Sequence, residues 1–404
     1  MQLTPYLEIY PSYEDGIFDP CNEKPKVPTS SYVRDGSTLY LMGATVLCKY
    51  DISEKNAPRL IAKTDIAADH TGDPLTDYIR RECAHSTSIV DIGDYLVISL
   101  RGGGGGTANM ADGVTVGNIS VIDKKTLRKV KELNFENRVT YITRHGDLLI
   151  VSLHFHGFYI YRIVDNDDVI SCIFKYVSVE APRSPTTVEF QNSTVFEAGK
   201  NKINIAFASY IFGISVFTYD TENNTVIPCS QLHPNVFSDM QDGASGVKNT
   251  VFGLTSKGKF VYGGISPGNN RFREQYKNVD WERFDKRGII YGPHDSLEKE
   301  HYHLELPEGD KPEYIGVISG DPAPSFLCTV ENFLLFNLDL QGLGIARIEK
   351  DNTLTYIGRM LEDSEKRALT YKINFDGEFL YASYKTTALN PSAPPVFRMY
   401  KAEL

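Results

Sequence analysis

Apolar and polar positions along the chain recur as one unit: an alternating run, a tight turn, then a short run that is apolar at nearly every position. The turns fall at Asp35-Gly36-Ser37, Gly93-Asp94, Gly146-Asp147, Gly199-Lys200-Asn201, Gly258-Lys259, Glu331-Asn332 and Asp376-Gly377. Gly and Asn tolerate the positive φ angles of tight hairpins, so their recurrence marks a chain folding back on itself. After the turns come Leu39-Tyr-Leu-Met, Tyr95-Leu-Val-Ile-Ser, Leu148-Leu-Ile-Val-Ser, Ile203-Asn-Ile-Ala-Phe, Phe260-Val-Tyr, Phe333-Leu-Leu-Phe and Phe379-Leu-Tyr-Ala-Ser. Short runs of this kind read as strands buried on both faces.

Each unit continues into a third strand rich in β-branched and aromatic residues, such as Phe158-Tyr-Ile-Tyr or Ile214-Ser-Val-Phe-Thr-Tyr. A more polar fourth strand follows, as in Arg59-Leu-Ile-Ala-Lys. Four strands per repeat without intervening helices predict an all-β chain, a β-propeller. The turns are spaced by about 57 residues on average between Gly36 and Gly377, and 404 residues then hold seven blades. The last repeat ends after three strands, so residues 3–10 are expected to supply its outer strand and close the ring. Two packed β-sandwiches are the alternative, which explains the even spacing less well. The expected organisation is a single propeller over residues 1–404, with an insertion at about 265–298 in the fifth blade as a candidate lid.

One stretch resembles a known family. Ala44-Thr-Val-Leu-Cys-Lys-Tyr-Asp-Ile-Ser-Glu-Lys-Asn-Ala-Pro-Arg-Leu-Ile-Ala is similar to the LVIVD-type repeat, in which an apolar strand leads through an Asp-Ile-Ser…Pro turn to the next strand. The resemblance covers one blade and implies a propeller; the family's activities are mostly unassigned.

The formal charge of −10 argues against a nucleic-acid or anionic-membrane binder, which needs basic stripes. The six cysteines contain no Cys-x-x-Cys pair, so neither a zinc knuckle nor a redox motif is expected. No secretory leader and no apolar run long enough for a membrane helix is read, and the expectation is a cytoplasmic protein with free thiols.

In a propeller, the starts of first strands and the ends of second strands meet at one face, around the channel. The strand numbering sends His85 and Arg138 there from first strands. It sends Arg101, His154, His156, Tyr210, Asp339 and Lys385 there from second strands. A cationic, hydrogen-bonding mouth on an acidic body suits a small anionic or polyhydroxylated molecule. In the resulting assignment Arg101, Arg138, Asp339 and Lys385 bind substrate, and His154, His156 or Tyr210 moves protons. On a strand, residues i and i+2 point the same way, so His154 and His156 together with His85 would offer three nitrogens to Mn or Zn. Gly102 to Gly106 suggest a mouth loop. The chain lacks the Gly-x-x-x-x-Gly-Lys-Ser/Thr pattern, so no nucleotide cofactor is expected. The expected function is an enzyme of lyase, hydrolase or lactonase type acting on a small anionic or sugar-derived substrate. The alternatives are a non-catalytic protein-interaction platform and a small-molecule sensor.

Overall fold

The computed structural model describes residues 1–9, 18–19, 24–25, 31–43, 45–54, 57–66, 85–101, 117–135, 137–154, 156–177, 190–209, 214–232, 249–258, 260–267, 289–291, 299–302, 314–319, 326–337, 343–351, 354–360, 369–385 and 396–403. Strands, turns and bridges account for their regular structure, and among the described residues there is no helix long and apolar enough to cross a membrane.

In chain order the strands begin with β1 (Gln2–Ile9) and a two-rung ladder of β2 (Phe18–Asp19) and β3 (Lys24–Pro25). An antiparallel sheet then runs in the order β4 (Ser31–Asp35), β5 (Thr38–Gly43), β6 (Val46–Asp51), β7 (Arg59–Asp65). The next contains β8 (His85–Asp91), β9 (Tyr95–Arg101), β10 (Gly117–Asp123) and β11 (Lys129–Phe135). A third follows with β12 (Tyr141–His145), β13 (Leu148–Ser152), β14 (Gly157–Ile163) and β15 (Ile170–Val177). The fourth comprises β16 (Ser193–Gly199), β17 (Lys202–Ala208), β18 (Ile214–Asp220) and β19 (Thr225–Leu232).

The next sheet differs. It holds β20 (Asn249–Lys257), β21 (Phe260–Pro267), β22 (Ile289–Tyr291), β23 (Lys299–Tyr302) and β24 (Tyr314–Ser319) in the order β20-β21-β24-β23-β22. Regular order returns with β25 (Leu327–Val330), β26 (Phe333–Asn337), β27 (Leu343–Ile348) and β28 (Leu354–Met360). The last sheet combines β29 (Leu369–Phe375), β30 (Phe379–Lys385) and β31 (Val396–Glu403) with β1, whose Gln2 pairs with Glu403 and Ile9 with Phe397.

The expectation of seven four-stranded blades is therefore corrected. Among the described residues six sheets are four-stranded and antiparallel, and these are the blades. Around Gly258 the hairpin β20–β21 is present, but β21 runs parallel to β24, Phe260 opposite Tyr314. A blade is an antiparallel meander. The insertion separates the hairpin from its continuation and contributes β22 and β23 as extra strands, so a Gly-centred turn here marks a hairpin without marking a blade. Residues 268–288 and 292–298 of that insertion, and Gly102 to Gly106, lie outside the described residues.

The chain divides into two compact units. One comprises residues 1–147, 163–171 and 363–404, the other residues 148–162 and 172–362. Alternation within second strands builds the core of each. In the first unit Leu39 and Leu41 of β5 pack with Tyr32, Phe379, Tyr381 and Phe397, while Tyr40 and Met42 face Ile89, Leu96 and Ile98. One strand thus feeds two apolar layers, which is why it reads as a continuous apolar run. In the second unit Phe158, Phe190, Phe207 and Phe217 form an aromatic cluster with ring centroids 4.8 to 5.8 Å apart. Beside β26, a Cβ on Gly344 would lie 2.2 Å from the Phe336 ring, so the ring's position requires glycine there.

Third and fourth strands pair with a repeated irregularity. Tyr6, Ile61, Val130, Cys229 and Ile357 each sit as an extra residue on the outer strand, opposite a shift of the register. These are β-bulges, which bend and twist the strand that carries them.

Candidate functional site

The first unit brings several of the expected residues into one neighbourhood. His85 on β8 is the register partner of Arg101 on β9, Arg101 pairs with Gly117 on β10, and Gly117 pairs with Phe135 on β11. One row therefore crosses the sheet with His85 and Arg101 at adjacent positions. Gly117 makes a second contact. A Cβ built there would lie 2.6 Å from the Val139 nitrogen, 2.8 Å from the Asn137 oxygen and 3.2 Å from the Arg138 Cα. The backbone of residues 137–139 thus rests directly on Gly117, and the absent side chain is what places Arg138 beside the Arg101 row. Arg138 is buried. Lys385 ends β30 in the same unit, where its register partner is Leu369. The side chains of His85, Arg101 and Lys385, and Tyr210 and Asp339 as a whole, lie outside the described residues.

In the second unit His154 and His156 follow β13, which ends at Ser152. The sequence reading carried strand alternation through both histidines, and the structure corrects this. Leu153 N–H donates to Gly157 O over 2.9 Å, and His156 N–H to Leu153 O over 2.8 Å, so the chain turns tightly between them. His154 has φ of 46°, in the left-handed region that a side chain enters at a cost of about 1 kcal/mol. Its carbonyl accepts from Phe190 N–H over 2.8 Å, a bridge that holds the turn. In a turn the i, i+2 relation no longer aims both rings at one point. His156 Nε2 lies 3.2 Å from the hydroxyl of Tyr159 on β14, and the Lys175 ammonium of β15 sits 5.1 Å from the centre of the Tyr159 ring. Among the described residues no group of three His, Cys, Asp or Glu side chains stands together as a metal site.

First strands bury hydroxyls in preference to charge. Ser31, Ser88 and Thr194 are buried in β4, β8 and β16. Ser88 N–H donates to Ser99 Oγ over 3.0 Å, and Ser88 Oγ accepts from Ile142 N–H over 2.8 Å. The same device recurs in β29, where Lys372 N–H donates to Ser383 Oγ over 3.0 Å. Both serines answer a bulge in the first strand, which would otherwise leave an amide without its ladder partner.

Lys372 is the one charged side chain buried within a first strand among the described residues. Its ammonium lies 5.7 Å from the centre of the Tyr141 ring. Loss of solvation pushes its pKa down to about 7 and pushes the Tyr141 phenol up. Sequence reasoning passed over Lys372, yet a signal existed. Lys372, Ser88 and Tyr141 each lie five residues before a turn glycine, at Gly377, Gly93 and Gly146.

No family model matches the chain, so the LVIVD-type likeness of residues 44–62 remains a resemblance of one repeat. No curated protein matches it either. Solved structures do. The chain is similar to the WD40 repeats of RRP9, with a TM-score of 0.53 and 8% identity over 100% of both chains. It is also similar to Saccharomyces cerevisiae Sqt1, with a TM-score of 0.50 and 10% identity over 95% of this chain and 84% of that one. At these identities the likeness is one of fold, and the fold is an all-β propeller.

Proposed function

We propose that this protein is a non-catalytic β-propeller scaffold that binds other proteins. The observation that carries the reading is what the first strands bury. The Ser88 and Thr194 hydroxyls are taken up in hydrogen bonds within the fold, Ser31 is buried, and Lys372 is the one charged side chain buried within a first strand among the described residues, with Arg138 buried just before β12. A proton-transfer enzyme of the expected kind needs several acids, bases and anion-gripping groups converging there. The fold shared with the WD40 repeats of RRP9 supports the same reading by analogy of architecture. Single exposed β-branched residues on the outer strands, Ile61, Val130, Val177, Ile227 and Ile357, add apolar surface to the outer strands. On this reading His156 with Tyr159 contacts a partner instead of turning over a small molecule.

The test sets the two functions against each other. Purified protein is heated with uronic acids, aldonic acids and lactones, with and without Mn or Zn, and is separately cross-linked in lysate. A bound small molecule at one hundred times its Kd stabilises by about 2.7 kcal/mol, a readable rise in Tm. The scaffold reading expects no such rise and a discrete cross-linked protein. A rise that disappears in Arg101→Ala or Arg138→Ala overturns it.

A further inference from the structure

We infer that the His156–Tyr159–Lys175 cluster on β14 and β15 is a contact site for a carboxylate-bearing segment of a protein partner; this rests on the scaffold reading. Tyr159 is held from two sides. The His156 ring approaches its edge at 62° with centroids 6.1 Å apart and shares a hydrogen bond with the hydroxyl, while the Lys175 ammonium covers a face of the ring. A tyrosine fixed this way loses little freedom when a partner covers it, and Tyr is among the residues that dominate interface energies.

The charge of the cluster supplies the partner's chemistry. Elsewhere cations meet carboxylates: Lys124 reaches Asp35 and Asp91, Lys129 reaches Glu132, Lys131 reaches Asp168 and Arg347 reaches Glu349, all within 3.2 Å. Lys175 is exposed, and no carboxylate among the described residues forms an ion pair with it. In a chain of net charge −10, the cluster is a local cationic and aromatic spot flanked by Val177, which is 43% exposed. A glutamate or aspartate of the partner would place one oxygen on the ammonium and accept from the Tyr159 hydroxyl or the imidazole. Neighbouring apolar atoms of that partner would cover Val177.

Fluorescein-labelled hexaglutamate is titrated by anisotropy at low salt against wild type, Lys175→Glu, Lys175→Arg and Tyr159→Leu, each first shown to melt with wild-type cooperativity. The expected result is binding that weakens tenfold or more in Lys175→Glu and Tyr159→Leu and returns in Lys175→Arg. Hexaglutamate that does not bind, or binds Lys175→Glu equally well, overturns the inference. So does hexauridylate binding with the same dependence on Lys175, which would make the site one for phosphates. Benzoylphenylalanine at position 177 separates the two readings. A discrete protein trapped in lysate without any dependence on Lys175 leaves the scaffold standing and removes the acidic partner. Failure of both peptide and cross-link removes both.

Discussion

Arg34 Nε donates to Asp376 Oδ2 over 2.7 Å, joining residues 342 positions apart in the chain. The same guanidinium donates to Glu378 over 2.7 Å and to the Tyr381 hydroxyl over 2.9 Å, and it lies 4.8 Å from the centre of the Phe379 ring. β4 and the hairpin β29–β30 are therefore tied by a fork of charge-assisted bonds at a partly buried place.

Arg34→Met is expected to lower stability by about 1 kcal/mol, because the partly covered Asp376 loses its cation. Arg59→Met breaks an ion pair whose arginine is 75% exposed, and it is expected to leave stability nearly unchanged. Urea denaturation of the two variants measures the contrast. Burial works against the Asp376 charge, yet hydrogen bonds from Arg34, Phe379 N–H and the Tyr381 hydroxyl hold its carboxyl below the usual range. Its contribution is present above about pH 4 and lost as pH falls further, so Arg34→Met flattens that part of the acid limb.

Lys372 gives a slope of opposite origin. Its amine titrates near 7 in the folded protein and at 10.5 when unfolded, so between these values the unfolded chain binds more protons. Stability is expected to climb from pH 7 to about pH 9.5, by up to about 1 kcal/mol per pH unit. Above that, buried phenols such as Tyr384 and Tyr400, raised by loss of solvation, pull the other way as the unfolded chain ionises first. Lys372→Met removes the climb and stabilises the protein at pH 7, as a denaturation series across pH would show.

Gly117→Ala tests the packing that sets Arg138. The added methyl has backbone atoms at 2.6 and 2.8 Å, which cannot swing aside as a side-chain tip can. A loss of about 2 kcal/mol or more is expected, with altered amide shifts for residues 137–139 in NMR. An unchanged Tm would remove the argument that this glycine positions the arginine.

Glu331 occupies a hairpin turn with φ of 48°, and its carbonyl accepts from the Lys257 ammonium over 2.6 Å. Glycine keeps that carbonyl and enters this conformation freely. Glu331→Gly is accordingly expected to stabilise by up to about 1 kcal/mol, read as a rise in Tm of a few degrees at most.

The repeat was legible because burial on both faces leaves an unbroken apolar run, as in Leu39 to Met42, and because each hairpin needs its turn residues. The strand expected at residues 3–10 is seen as β1, since a last repeat of three strands, the third at Val396 to Glu403, left a sheet edge to cover. Blade number was not legible. Gly258 marks a hairpin as faithfully as Gly93 does, and the parallel pairing of β21 with β24 is set by contacts far along the chain. The turn at the histidine pair was not legible, because Leu153 to Gly157 reads as a strand end but folds around a left-handed His154. Lys372 was hidden by its chemistry: a lysine between apolar neighbours reads as surface until a tertiary contact such as the Tyr141 ring gives it a place inside.

The extra residue on each of five outer strands, from Tyr6 to Ile357, has a consequence in crowded solution. A flat fourth strand would offer the next molecule a template for open-ended addition, the route by which sheet proteins polymerise into fibres. The bulge breaks the regular spacing of amides and carbonyls and turns the strand out of plane, so an incoming strand finds no continuous ladder. A protein whose sheets each end in an edge can in this way stay discrete, and its exposed isoleucines and valines remain available to partners without inviting self-assembly.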